Sequence, residues 1–249
     1  LFSTLYFPMM LLVFGYIFRA VAIEFRSKKE DALWRCAWDI VFSFASILIP
    51  FGFGIILANM ISGMPINYEG FLEGGMSTLF TRYSVILGFF TIALFTLHGA
   101  LYLNMKTEGL LQKKIQGWIK NIYWFFVAFW ILMNVYTISY IPEVADLPLE
   151  IPFLWIILLS GIIGLIAIKH NLSKGNEGWA FMSSFLVILS LILSLVLGTY
   201  PSIIKSTIDP QLNSMTIYNS SASPYTLKIL LGIALCGVPA FLGYLYYAQ

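Results

Sequence analysis

Seven apolar stretches separated by short polar joints occupy almost the whole chain. They predict helices over Leu5–Ile23, Ala37–Ile61, Tyr83–Met105, Ile122–Tyr140, Pro152–Ile168, Trp179–Tyr200 and Thr226–Tyr247. A hydrocarbon layer about 30 Å thick is crossed by a helix of about 20 apolar residues, so each stretch is long enough to span it. Unpaired backbone groups are not tolerated there, which leaves helices or closed barrels. The runs are too long and too uniformly apolar for the alternating strands of a barrel. The predicted fold is therefore all-α, a polytopic transmembrane helix bundle forming a single domain over residues 1–249.

The joints carry residues that end helices. Gly63 and Pro65 follow the second helix, and Pro142 and Pro148 bracket the loop before the fifth. Gly175 and Gly178 separate the fifth and sixth, Pro201 closes the sixth, and Pro210 lies in the loop beyond. Within the second helix, Pro50 with Gly52 and Gly54 predicts a bend, because proline removes one backbone donor and crowds the preceding turn. The longest non-membrane segments, Ser62–Arg82 and Pro201–Tyr225, are each too short to build a core alone. The second, rich in Ser, Asn and Thr, is expected to be an ordered loop folded over the bundle.

Composition agrees with a membrane solvent. Apolar residues make up 59% and charged residues 10%, against about 45–50% and about 25% in soluble domains. A net charge of +2 carries no information about nucleic acid. Cys36 and Cys236 fall in or near predicted helices and read as small packing residues rather than a disulfide. The chain starts at Leu1 rather than Met and leads straight into a membrane helix. A basic segment, short apolar core and cleavage site are not seen, so a signal peptide is not expected and the true N-terminus is expected upstream.

The placement of positive charge orients the bundle. The first, third and fifth joints and their flanks hold Arg19, Arg26, Lys28, Lys29, Arg35, Lys106, Lys113, Lys114, Lys120, Lys169 and Lys174. The others hold Arg82, Lys205 and Lys228, a ratio of eleven to three, while acids divide six and six. Basic residues accumulate on the cytoplasmic side. The odd joints and the C-terminus are thus expected in the cytoplasm, with Leu1 near the outer face and Tyr244, Tyr246 and Tyr247 in an interfacial belt.

The densest polar cluster is RAVAIEFRSKKEDALWRCAWD, Arg19–Asp39. Arg19 and Glu24 sit near the cytoplasmic end of the first helix. Arg35 and Asp39, four apart, share a face of the second. Asp39 lies just inside the apolar region and needs a cation, a hydrogen-bond donor or a proton. One reading is an interfacial hairpin whose arginines snorkel to headgroups while ion pairs pin two helices. The other is that Arg19 and Asp39 pair inside the protein and line a polar path or subunit interface. His98, in LHGALYL, is the single histidine deep in a helix, beside small residues Gly99 and Ala100 that permit close helix approach. It reads as a hydrogen-bonded packing residue, a proton-handling group or a ligand. The other histidine, His170, sits in a polar joint, and no spaced ligand set suggests a metal centre. KTEGLLQKK, Lys106–Lys114, reads as a short basic amphipathic joint touching lipid headgroups. Phosphate loops, nucleophile triads and dinucleotide fingerprints are not found.

The words RAVAIEFR at Arg19–Arg26, LWRCAWD at Leu33–Asp39, HGALYLNMKTEG at His98–Gly109, YPSIIKST at Tyr200–Thr207 and MTIYNSSASPYTL at Met215–Leu227 resemble, in order and spacing, subunit II of the cytochrome bd quinol oxidases. The resemblance covers nearly the whole chain. It departs at the start, since the family opens with two further helices bearing an acidic glycine-rich motif and a Trp-Asp-Gly-Asn-Glu type motif. The resemblance thus implies seven of about nine helices, an N-terminally truncated or partial subunit. It implies a bacterial or archaeal cell membrane and a respiratory enzyme that oxidises quinol and reduces dioxygen to water, electrogenically, with protons drawn from the cytoplasm. It assigns haem b and haem d to the partner, subunit I, and none to this chain, whose role is to pack against that partner and contribute proton access. It leaves room for a structural quinone or lipid and for a small accessory transmembrane subunit. It singles out Arg19 and Asp39, and less strongly Glu24, Arg26, Arg35 and Trp38, and it does not call for a ligand at His98. The rival classes are a secondary transporter, which would show broken helices in inverted repeats, and a purely structural membrane subunit.

Overall fold

A computed structural model describes residues 5–142 and 152–248. Seven helices of membrane-spanning length and composition are found among them: α1 (Tyr6–Arg26), α2 (Ala32–Ser62), α3 (Arg82–Lys106), α4 (Gly109–Tyr140), α5 (Phe153–Ser173), α6 (Glu177–Thr199) and α7 (Pro224–Ala248). A short 3₁₀ turn, Met76–Leu79, precedes α3, and two strands, β1 (Ser202–Ile204) and β2 (Met215–Thr216), precede α7. Pro148 of the predicted loop lies outside the described residues.

Helix ends run past the apolar stretches because hydropathy marks the membrane, not the backbone hydrogen bonding. The α2 helix starts at Ala32 because the Asp31 carboxylate accepts from the Trp34 N–H at 3.2 Å, capping the first turn. The largest difference is α4, which begins thirteen residues before the expected Ile122. KTEGLLQKK is therefore not a joint. Only Thr107 and Glu108 separate α3 from α4, and the lysines ride on a helical extension, where their side chains favour helix and reach water. At 32 residues, α4 is about 48 Å long at 1.5 Å per residue, well beyond the apolar layer.

Neighbouring helices pack in chain order, α1 on α2, α2 on α3, α3 on α4 and α5 on α6, with α6 returning to α3. One core joins α3 to α6 through Leu87, Leu97, Phe126, Leu165, Ile168 and Val187. Lipid supplies no hydrophobic drive between helices, so close backbone approach matters. It occurs at Gly54, where an added Cβ would lie 2.5 Å from Gly88 Cα, and at Gly161 and Gly164, which receive Ser190 and Val187. The approach expected at Gly99 is not made. A Cβ there meets nothing within 4 Å, and only Ala100 of the pair is buried. The α2 helix runs unbroken through Pro50, Gly52 and Gly54, so it is not the interrupted helix a transporter would carry. Cys36 and Cys236 are free thiols, and both are exposed rather than packed in the core.

The two long loops, unable to form cores separately, form one together. Met64 N–H donates to the Lys205 carbonyl and Thr207 N–H to the Met64 carbonyl, both at 2.9 Å. The Ser206 hydroxyl donates to the Ile66 carbonyl at 2.8 Å. The strands β1 and β2 pair antiparallel beside them. Met64, Ile66, Leu79 and Ile204 bury against Leu5, Leu12, Ile49 and Ile56, which caps α1 and α2. Outside the membrane segments, the Tyr218 hydroxyl lies 2.9 Å from that of Tyr200, and this hydrogen bond raises the Tyr218 pKa above the ordinary phenol value. The α7 helix is different. Every side chain from Pro224 to Tyr244 is exposed, so it packs no face on the bundle.

Candidate functional site: the charged hairpin between α1 and α2

The hairpin holds the polar cluster of the sequence. Arg26 Nε donates to Asp39 Oδ1 at 2.6 Å and Nη2 to Oδ2 at 3.3 Å, a two-point ion pair across the hairpin. Lys28, in the turn after α1, pairs with Glu24 at 2.8 Å. Arg35 Nε donates to the Lys29 carbonyl at 3.3 Å. Trp34 Nε1 donates to the Phe25 carbonyl at 2.8 Å, while Trp38 packs against both Phe25 and Trp34 with ring centroids 5.2 and 5.7 Å away. Two indoles thus clamp the end of α1 on the start of α2.

Arg19 does not form the pair with Asp39 that the second of the two readings of this cluster held. Its guanidinium lies over the Phe42 ring, 5.3 Å from the centroid. Depth in the membrane does not decide the pairing; side-chain tilt does. Side chains lean toward the N-terminus of their own helix. In this antiparallel hairpin Arg26 leans into the bundle and Asp39 leans back toward the turn, so they meet. Arg19 leans further from the turn and reaches Phe42. The Arg26 and Asp39 side chains are 50% and 53% exposed, so within this chain the pair is open rather than buried.

His98 lies apart, on α3. Its Nδ1 is 2.8 Å from Ser184 Oγ on α6. The Ser184 hydroxyl also reaches the Phe181 carbonyl at 2.6 Å, so the serine links His98 to the backbone of α6. The ring also stacks on Phe181, with centroids 4.7 Å apart. His98 therefore ties α3 to α6 as a half-buried, hydrogen-bonded packing residue. Among the described residues no hydrogen bond or ion pair joins it to the hairpin. No group of three or more His, Cys, Asp or Glu is placed to hold a metal ion among those residues. His170 is exposed in the last turn of α5.

One polar feature escaped the sequence reading. Asn104, in the last turn of α3, is 1% exposed and its Oδ1 lacks a hydrogen-bond partner. It borders a cavity of about 540 Å³ with Lys120 and Lys169. The lysines had entered only as a charge bias. An amide just inside the apolar end of a helix was the available signal.

Fold and site together describe a polytopic helical membrane subunit with a charged hairpin at one face and large apolar surfaces uncovered. The family described as cytochrome bd terminal oxidase subunit II matches residues 1–249, and this chain belongs to it as a subunit of a bd-type oxidase. The cytochrome bd-I ubiquinol oxidase subunit 2 of Escherichia coli (strain K12) is 24% identical over 98% of this chain and 72% of its own length. The cytochrome bd ubiquinol oxidase subunit 2 of Bacillus subtilis (strain 168) is 24% identical over 97% and 70%. The solved bd oxidase of Geobacillus thermodenitrificans shares the fold at a TM-score of 0.76 and 15% identity, covering 97% of this chain and 71% of the matched one.

Proposed function

We propose that this chain is the non-haem subunit of a respiratory quinol:dioxygen oxidoreductase, packed against a haem-bearing subunit I, and that its α1–α2 hairpin contributes the cytoplasmic access route for protons consumed in water formation. The observation that carries the reading is the open Arg26–Asp39 pair. A two-point ion pair at the end of two membrane helices, half exposed in its own chain, is suited to an edge that another polypeptide or a hydrated channel completes. The Lys28–Glu24 pair on the same hairpin adds carriers of charge one turn away. The α7 helix, exposed from Pro224 to Tyr244, offers an apolar surface for lipid or for a neighbouring subunit.

In this reading haem b and haem d supply the electron-transfer chemistry from subunit I. The side chains of this chain hold water and protons at the hairpin and keep its charges in register. The basic odd joints face the cytoplasm, and α7 ends there. The test is purification of the tagged chain from its native membrane. A copurifying polypeptide with b- and d-type visible bands is expected. A preparation that turns over no quinol and carries no haem in any partner would overturn the proposal.

A further inference from the structure

We propose that Trp34 is a positioning residue for the oxidase reaction: its indole N–H holds the last turn of α1 so that Arg26 meets Asp39 at two points. The inference rests on the reading of that pair as part of the proton route. Arg26 is the final residue of α1, and the last turn of a helix is where backbone carbonyls lack helical partners and the chain frays. No glycine in the left-handed region closes α1; Ser27, at its end, stays right-handed at φ −82°. Side chains close the helix instead. The Ser27 hydroxyl donates to the Glu24 carbonyl at 2.9 Å. Trp34 Nε1 donates to the Phe25 carbonyl at 2.8 Å, which also accepts the Lys28 N–H at 3.1 Å.

The Phe25 carbonyl and the Arg26 nitrogen belong to one rigid peptide plane, so a donor fixed on that oxygen fixes the point from which the Arg26 side chain departs. Trp34 is itself tied down. Its backbone N–H donates to the Asp31 carboxylate at 3.2 Å in the first turn of α2. Its ring meets Trp38, with centroids 5.7 Å apart, and the Lys29 ammonium, 4.7 Å from the centroid. Trp38 also lies against Phe25 and directly precedes Asp39. Each partner of the ion pair therefore follows, by one residue, a group that Trp34 touches: Phe25 before Arg26 and Trp38 before Asp39. A guanidinium fork binds a carboxylate at two points only when the two planes are aligned. The paired side chains are half exposed, so no core surrounds them to impose that alignment. The indole supplies it.

The test compares oxygen consumption per haem of the purified complex carrying Trp34→Phe, Asp39→Asn or both. Trp34→Phe keeps a ring against Trp38 and Lys29 and removes the N–H. Turnover at saturating quinol is expected to fall about threefold, the scale of one net hydrogen bond, with the quinol KM unchanged. In the Asp39→Asn background the same change is expected to have no further effect, because Trp34 acts through the pair. A merely structural role would instead multiply the two losses. Replacement of Trp34 by benzothienylalanine, which puts sulfur in place of the indole N–H in a ring of the same size, is expected to match Trp34→Phe, and it decides the question if Trp34→Phe does not assemble. Parent turnover with either replacement, a raised quinol KM, or losses that multiply in the double variant would each overturn the assignment. Impaired Asp39→Asn beside a normal Trp34→Phe removes only the role of Trp34, whereas parent turnover in Asp39→Asn removes the proton route and this inference with it.

Discussion

The Thr91 hydroxyl of α3 reaches the Pro50 carbonyl of α2 at 2.7 Å. The contact falls where the two backbones come closest, since a Cβ on Gly54 would also lie 2.5 Å from Thr91 Oγ1. The proline does not break α2; its carbonyl becomes an acceptor for the neighbouring helix.

That geometry predicts a graded response at the α2–α3 contact. Thr91→Val is expected to cost about 1 kcal/mol, the scale of one interhelical hydrogen bond in a membrane. Gly54→Leu is expected to cost more, at least about 2–3 kcal/mol, because the added atoms meet backbone that cannot yield. Thermal melting of the detergent-solubilised complex measures both. A Gly54→Leu protein as stable as the parent would contradict the packing.

The hairpin pair gives a second expectation. Asp39→Asn keeps the shape of the side chain but removes the charge facing Arg26, and oxygen consumption by the purified complex is expected to fall severalfold. Arg26→Gln should behave alike. The charge-reversed double variant, Arg26→Asp with Asp39→Arg, should recover part of the loss if the pairing itself matters. Arg19→Gln should not reproduce the Asp39→Asn phenotype, since Arg19 contacts Phe42. Wild-type turnover in Asp39→Asn would remove the pair from the proposed proton route.

His98 gives a third. His98→Phe retains stacking on Phe181 and loses the hydrogen bond to Ser184. It should lower stability by about 1 kcal/mol while leaving the visible haem bands of the complex in position. A lost or shifted band would instead assign His98 to a cofactor.

The two long loops, 62–82 and 201–223, give a fourth. Ser206→Ala removes the hydroxyl that binds the Ile66 carbonyl, and residues 62–82 and 201–223 share their core. Tryptic cleavage at Arg82 and Lys205 should therefore accelerate together in this variant. In sealed vesicles both sites should be accessible from the face opposite Lys174. Acceleration at one site only would show that the loops are not coupled, and cleavage of all three from one face would reverse the proposed orientation.

The number and order of the seven helices were legible in the residues, because an uninterrupted apolar run of bilayer length has few alternatives once every backbone group must be paired. Ends were less legible. The extension of α4 back to Gly109 lies in water-facing sequence, where apolar content carries no signal and helix propensity and caps decide. The hairpin residues Glu24, Arg26, Arg35, Trp38 and Asp39 could be singled out as a cluster, since charge beside an apolar run is costly wherever it falls.

Which of those charges meet was not in the sequence. Arg19 and Arg26 are chemically alike, and only the opposed tilt of side chains on two antiparallel helices brings Arg26 to Asp39. Similarly, Gly99 and Gly54 are the same residue, yet only Gly54 faces a neighbouring backbone. The union of the two long loops links residues 140 positions apart. Membrane insertion is a property of each segment's own composition, so the chain alone determines it. Contacts depend on rotation and approach of whole helices, and those are decided by packing.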